Sequence, residues 1–175
     1  MNAKLVYPGI EHQSMMEAYL KETFEYGESF VNGDGGCHQY DDYLKWLKRE
    51  KQNHLGIHLQ PGYVPGTTYF YIKDDMIIGT INIRHCLNDY LLNVGGHIGY
   101  SVLPSQRKKG YATAMLKEAI KICKQWDIEP ILVTCDKNNI ASRKTIEKCG
   151  GQLENEYDDK QTNKTTLRFW IGERK

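Results

Sequence analysis

The chain has no run of about 18 apolar residues, the length a helix needs to cross a bilayer. Its start, "MNAKLVYPGIEHQ", lacks the apolar core of a signal peptide. It has no C-x-x-C pair, and its five cysteines (Cys37, Cys86, Cys123, Cys135, Cys149) are an odd number. That count argues against a disulfide framework and for reduced thiols packed as small hydrophobes, so a cytoplasmic location is expected. There is little charge of either sign in excess: the net charge is +1, which excludes a bulk electrostatic binder of nucleic acid. G-x-x-x-x-G-K-[ST] and G-x-G-x-x-G are both absent, which removes the Walker loop and the dinucleotide fingerprint. No metal set is complete. His54 and His58 have helical i, i+4 spacing, but Gly56 lies between them and no third ligand is evident. "NGDGG" (Asn32 to Gly36) lacks the alternating acids and closing glutamate of a calcium loop. Repeats, low-complexity segments and linkers are missing too, so residues 1–175 are expected to form one domain.

What is present is an ordinary globular mixture, 40% apolar and 26% charged. "KLVYP" reads as a short strand. From Glu11 to about Glu28, Met15/Met16, Tyr19/Leu20 and Phe24 recur at helical spacing. "YDDYLKWLKREKQ" predicts a second helix with Tyr43, Leu44, Trp46 and Leu47 as its stripe. "TTYFYIK" and "MIIGTINIRH" flank Asp74-Asp75 as a hairpin, and "HIGYSV" follows as another strand. A long helix is predicted from about Gly110 to Trp126, with apolar positions Ala112, Met115/Leu116, Ala119, Ile122/Cys123 and Trp126. "PILVTC" is a short buried strand, Asn139 opens a last helix stopped at Gly150-Gly151, and the tail reads as a hairpin. The order is that of an α/β chain with a mixed sheet.

The densest chemical signal is "PSQRKKGYATAML". Arg107, Lys108 and Lys109 stand together just before a helix, where the dipole already disfavours cations. Gly110 lets the backbone turn tightly and approach a ligand. The first-turn amides point outward, and the helix start favours negative charge. Together these features suit a phosphate or pyrophosphate site with mobile positive charge around it. A solvated basic loop ahead of an ordinary helix would give the same short pattern.

Val102-x-Pro104-x-x-Arg107-x-x-Gly110-x-Ala112, followed by a helix, a buried strand and "NNIASRKTIEKCGG", resembles the GNAT superfamily of acyl-CoA-dependent N-acetyltransferases. "GGHIGYSVLPSQRKKGYATAML" and "TCDKNNIASRKTIEKCGGQLENE" are similar to a substrate-unassigned bacterial branch of it. The resemblance implies a mixed, mostly antiparallel sheet of about seven strands, splayed between the fourth and fifth, with about four helices. It implies acetyl-CoA as cosubstrate and no metal. Arg107, Lys108, Lys109, Gly110, Tyr111 and Ala112 would hold the pyrophosphate. The strand at Val102 would pair with the pantetheine arm, and Asn139 and Ser142 would contact the cofactor. For Asn139 an N-cap role is compatible with that one.

Two positions depart from the family pattern. The tyrosine that many relatives place seven residues after the asparagine is Ile146 here, and the aromatic after the helix-ending glycine is Gly151. A thiol with a pKa near ~8.5 is a tolerable leaving group, so acid help is less critical. The family's glutamate base falls on His97, a residue type that can accept a proton near neutrality, with Tyr100 as a neighbouring candidate on the opposite strand face. His97 could equally pack at a strand start. Asn32 to Cys37, and Asn82, Arg84 and His85, are expected near the acceptor pocket, although a solvated strand face would explain the latter three equally well.

The implied activity is acetyl transfer to a primary amine of a small molecule or peptide. The alternatives are a CoA-binding sensor or scaffold without catalysis, and a phosphate-binding interaction domain unrelated to CoA. No nucleic-acid or membrane partner is expected, and a homodimer is left open.

Overall fold

The computed structural model describes residues 3–160 and 162–173. Seven strands form one sheet in the order β1-β2-β3-β4-β5-β7-β6. They are β1 (Lys4–Val6), β2 (Gly66–Lys73), β3 (Met76–Arg84), β4 (Ile98–Val102), β5 (Ile131–Asp136), β6 (Gln152–Asp159) and β7 (Lys164–Ile171). Every neighbouring pair is antiparallel except β4–β5. Four α-helices accompany the sheet: α1 (Gln13–Glu25), α2 (Tyr43–Leu55), α3 (Tyr111–Gln125) and α4 (Ile140–Lys148). The mixed, mostly antiparallel architecture expected from the sequence is therefore present.

Local chemistry accounts for most of the elements. The β2–β3 turn puts Asp74 and Asp75 at φ 48° and 56°, the left-handed pair that a two-residue hairpin requires and that aspartate tolerates. Asp42 caps α2 by accepting from the amides of Leu44 and Lys45. Along β3 the period of two sends Ile81 and Ile83 to one face and Thr80, Asn82 and Arg84 to the other. α3 covers the first face with Leu116, Ala119 and Cys123, packed with Ile98, Val133 and Phe169. α1 and α2 cover the second face with Met16, Tyr19, Trp46 and Leu47, and Trp46 stacks on Phe70 at 5.8 Å.

Three residues of the expected stripes are exposed, Trp126 at the end of α3 among them. Phe24 is 41% exposed and Leu44 is 46% exposed. The adjacent inward positions belong to Thr23 and Tyr43, and farther along the same face of α2 Glu50 is buried as well. Glu50 earns its place by bonding: its carboxyl accepts from the Thr68 amide at 2.6 Å and the Thr68 hydroxyl at 2.9 Å, tying α2 to β2. Burial nevertheless pushes the carboxyl up to about 7, because two hydrogen bonds do not replace lost hydration.

The sheet opens in one place. β3 and β4 share five register pairs and β5 and β7 share six, but β4 and β5 share one, Ile98 with Val133. Beyond that pair the two strands diverge.

Candidate active site

β4 runs through Leu103 and a single 3-10 turn (Pro104–Gln106) into α3. Lys108 and Gly110 both take positive φ, 62° and 82°, which turns the chain sharply. A Cβ on Gly110 would meet nothing within 4 Å, so its outer side faces open space. The first helical hydrogen bond runs from the Ala114 amide to the Gly110 carbonyl. The amides of Tyr111, Ala112 and Thr113 precede it and have no intrahelical acceptor. They form a set of donors at a helix start beside open space, as an anion site needs.

Arg107 does not supply the mobile charge expected of it. Its guanidinium pairs with Glu28, its Nε donates to the Val102 carbonyl at 3.0 Å, and it lies over the Tyr26 ring at 5.4 Å. The exposed charges at the cradle are Lys108 and Lys109, the latter donating to Gln106 at 3.0 Å. The Tyr111 side chain turns away to Lys73 and Tyr71.

The gap between β4 and β5 is lined by main chain. The Leu103 amide donates to Ile78 on β3. Alternate residues of an antiparallel strand face opposite neighbours, so the main-chain groups of Tyr100 and Val102 face the gap. At the floor of the gap stands the start of α4. Asn139 caps it by accepting from the Ser142 amide at 3.0 Å. The Ser142 hydroxyl meets the Tyr100 hydroxyl at 2.9 Å and also the Cys135 thiol. Burial pushes the Tyr100 phenol up to about 12 and the Cys135 thiol up to about 11. Tyr100, Asn139 and Ser142, singled out separately from the sequence, therefore come together. Ile146 is fully buried in the core behind them. A Cβ on Gly151 would lie 2.5 Å from Ile146 Cγ2, so the two departures from the family pattern are one packing feature.

His97 sits at the point where the strands part. Its amide donates to the Leu132 carbonyl at 2.7 Å, and its Nδ1 accepts from the Leu132 amide at 2.9 Å. It is 7% exposed, and burial, reinforced by the charge of Arg84, pushes the imidazole down to about 4. A neutral imidazole has one acceptor nitrogen. Here that nitrogen is engaged with Leu132, so the ring offers a donor, Nε2–H, and no lone pair for a base.

On the face of the sheet opposite α3 lies a cavity of about 450 Å³. The loop after α1 forms one wall. Gly33 lies flat on β4: a Cβ there would be 2.5 Å from the Gly99 carbonyl and 2.7 Å from Tyr100 Cα, and its φ is +79°, so only glycine fits. The Asn32 carbonyl accepts from the hydroxyls of Ser101 and Thr80 and fastens the loop beside the gap. The loop carries a pair that the sequence reading missed. Asp34 is buried and bonds His38 Nδ1 at 2.7 Å, while its oxygens also accept from the amides of Gly36 and His38. The i, i+4 spacing of Asp34 and His38 was the available signal.

Asn82 and Arg84 line the same cavity, as expected, and so do Arg49 and Tyr90. His85 does not. It points to the other face, to Thr67 at 2.8 Å and the Trp126 ring at 5.1 Å. His54 bonds the same Thr67 hydroxyl, whereas His58 contributes its carbonyl to Arg49. Among the described residues no cluster of His, Cys, Asp or Glu could hold a metal, and no helix is long and apolar enough to cross a membrane.

This architecture has solved counterparts. The acetyltransferase MccE for microcin C7 self-immunity, in complex with acetyl-CoA and AMP, superimposes with a TM-score of 0.70 at 13% identity, over 98% of this chain and 92% of that one. A Salmonella typhimurium acetyltransferase that modifies the N-terminal serine of ribosomal protein L7/L12 gives 0.70 at 14% identity, over 99% and 96%. A chimeric spermidine N-acetyltransferase combining Vibrio cholerae SpeG and hSSAT sequences gives 0.62 at 12% identity, over 98% and 95%. At such identities the likeness is one of fold. None of the curated proteins matches the chain in sequence. The family model for the acetyltransferase (GNAT) family, however, matches residues 15–151, most of the chain including strands β2 to β5 and the cradle, so this protein belongs to the GNAT acetyltransferases.

Proposed function

We propose that the chain transfers the acetyl group of acetyl-CoA to a primary amine entering the cavity beside Gly33. One observation carries the reading: the single-pair junction of β4 and β5 opens a gap with the amide cradle at one end and the acceptor cavity alongside. In this reading the amides of Tyr111 to Thr113, with Lys108 and Lys109, receive the pyrophosphate. The main-chain groups of Tyr100 pair with the pantetheine arm, and Asn139 and Ser142 border it. The acyl carbon then lies near Gly99 and Tyr100, below the loop that carries His38.

The chemistry follows from that placement. A neutral amine attacks the thioester carbon, and a C–N bond forms. The excess proton on nitrogen passes to His38 Nε2, whose one hydrogen bond among the described residues is a long one of 3.5 Å to Gln39 Nε2 that the amine displaces, while Asp34 holds the Nδ1 hydrogen. The C–S bond breaks with its electrons on sulfur. The thiolate leaves unaided or takes a proton from the Ser142 hydroxyl, which Tyr100 can replenish. His97 acts here as a positioning residue that holds the gap open, in place of the base role its sequence position suggested.

The acceptors of similar structures, an N-terminal serine and spermidine, support amine acetylation but differ from each other. Thiols unpaired at Cys37, Cys123 and Cys135 support a reducing, cytoplasmic setting. The test is a thermal shift with acetyl-CoA followed by free-thiol release across an amine library. A shift that depends on the pyrophosphate, with amine-dependent thiol release, is expected. A shift with no release by any amine would leave a CoA-binding module without catalysis.

A further inference from the structure

The cavity contains a charge that no carboxylate pairs with among the described residues. Arg84 lies with its two terminal nitrogens over Gly99, 2.9 and 3.0 Å from where a Cβ would stand. Its hydrogen bond among the described residues is from Nη1 to the Gly95 carbonyl at 3.2 Å. No carboxylate pairs with it among the described residues. Burial lowers it to about 10, which leaves it charged at neutral pH. Among the described residues, the acidic side chain lining the cavity is Asp34, whose oxygens are engaged by His38 and by two amides. A second cation, Arg49, lines the wall. Its Nη1 donates to the His58 carbonyl, and its Nη2 is buried with no hydrogen-bond partner in the structure.

Arg84 is half-buried, and an arginine partly withdrawn from water without an anion carries a cost that a ligand's anion offsets. Guanidinium groups suit carboxylates and phosphates because two parallel N–H donors match two oxygens. We propose that the acceptor carries, close to its amine, a carboxylate or phosphate that binds Arg84. The inference rests on the reading of this cavity as the acceptor site and narrows it. Gly99 is the first β4 residue beyond the last β4–β5 pair, so Arg84 adjoins the mouth of the gap. The anion and the amine must therefore be near neighbours, as in an α-amino acid or an aminoalkyl phosphate. A polyamine would meet two cations and no available carboxylate, and an amide-flanked amine would leave Arg84 unpaired.

The test compares matched amines by thiol release: the twenty amino acids against their amides, O-phosphoethanolamine against ethanolamine, and spermidine. At least one acid should exceed its uncharged partner by about 100-fold or more in kcat/KM, because the partner leaves a half-buried guanidinium unsatisfied within the complex. The two arms separate carboxylate from phosphate. Arg84→Gln should erase that preference through KM, with the acetyl-CoA thermal shift kept. Preference for amides or spermidine overturns the inference and leaves the acetyltransferase reading standing. If no amine releases thiol although acetyl-CoA binds, the enzymatic reading fails. Calorimetry of the same acids on the CoA-loaded protein then decides the inference: binding lost in Arg84→Gln upholds it, and no binding overturns it.

Discussion

His97→Ala and His97→Asn separate an anchor from a base. The alanine variant leaves the Leu132 amide buried without its acceptor, which costs about 1–3 kcal/mol. The strands are joined near that point by the His97–Leu132 bonds and the Ile98–Val133 pair, so the gap should lose its shape with them. Asparagine can place its Oδ1 where Nδ1 stands and accept the same bond. An anchor therefore predicts a large loss of turnover in His97→Ala and recovery to within a few-fold in His97→Asn. A base predicts an equal loss of about 100-fold or more in both. Stability against pH gives an independent reading. The folded imidazole is pushed from its ordinary 6.5 down to about 4, so between those values the unfolded chain binds more protons than the folded one. The contribution of His97 is then fully present above about 6.5 and lost as pH falls toward 4, about 3 kcal/mol in all. Glu50 works oppositely: its carboxyl is raised from 4.5 to about 7, so its contribution is present below 4.5 and lost as pH rises through 7. The quantity to measure is thus the difference between wild type and His97→Asn, by denaturant unfolding from pH 4.5 to 8. It should grow as pH rises to about 6.5 and then level. Equal inactivation of both variants, or a flat difference, would refute the anchor.

Three further outcomes are expected. His38→Gln should lower kcat by about 100-fold with the acetyl-CoA thermal shift retained, the effect of losing a positioned base; full activity would move the proton transfer elsewhere. Ile146→Ala should cost about 2–5 kcal/mol in denaturant unfolding as a fully buried aliphatic is removed, with turnover per folded molecule nearly unchanged. Gly110→Val should cost roughly 1–2 kcal/mol because φ is +82°, and should abolish the acetyl-CoA thermal shift by filling the open space at the cradle; a normal shift would mean that the pyrophosphate binds elsewhere.

What was legible in the sequence is what neighbouring residues decide among themselves. The β2–β3 turn at Asp74-Asp75, the cap at Asn139 and the stripe of α3 depend on bonds and periodicities within a few positions, so their residues announce them. The resemblance added the splay and the cradle, because its motif lies in one continuous stretch. Phe24 and Leu44 went astray because hydrophobicity alone does not say which of two adjacent side chains faces the sheet. The remaining features belong to the tertiary structure. Arg107 is held by Glu28, 79 positions away, so its charge could not be assigned from its neighbours Lys108 and Lys109. His97 has the residue type of a base, but the Leu132 amide from another strand takes its lone pair. Ile146 and Gly151 look like two separate departures until packing shows that each excludes a bulkier partner. The cavity beside Gly33 is built from a glycine loop, a helix and the end of a strand, far apart in the chain, and the setting of Arg84 exists only once those walls meet around it. Chain-local bonding is written in order along the sequence, whereas burial, and the electrostatics that burial controls, depend on which distant segments meet.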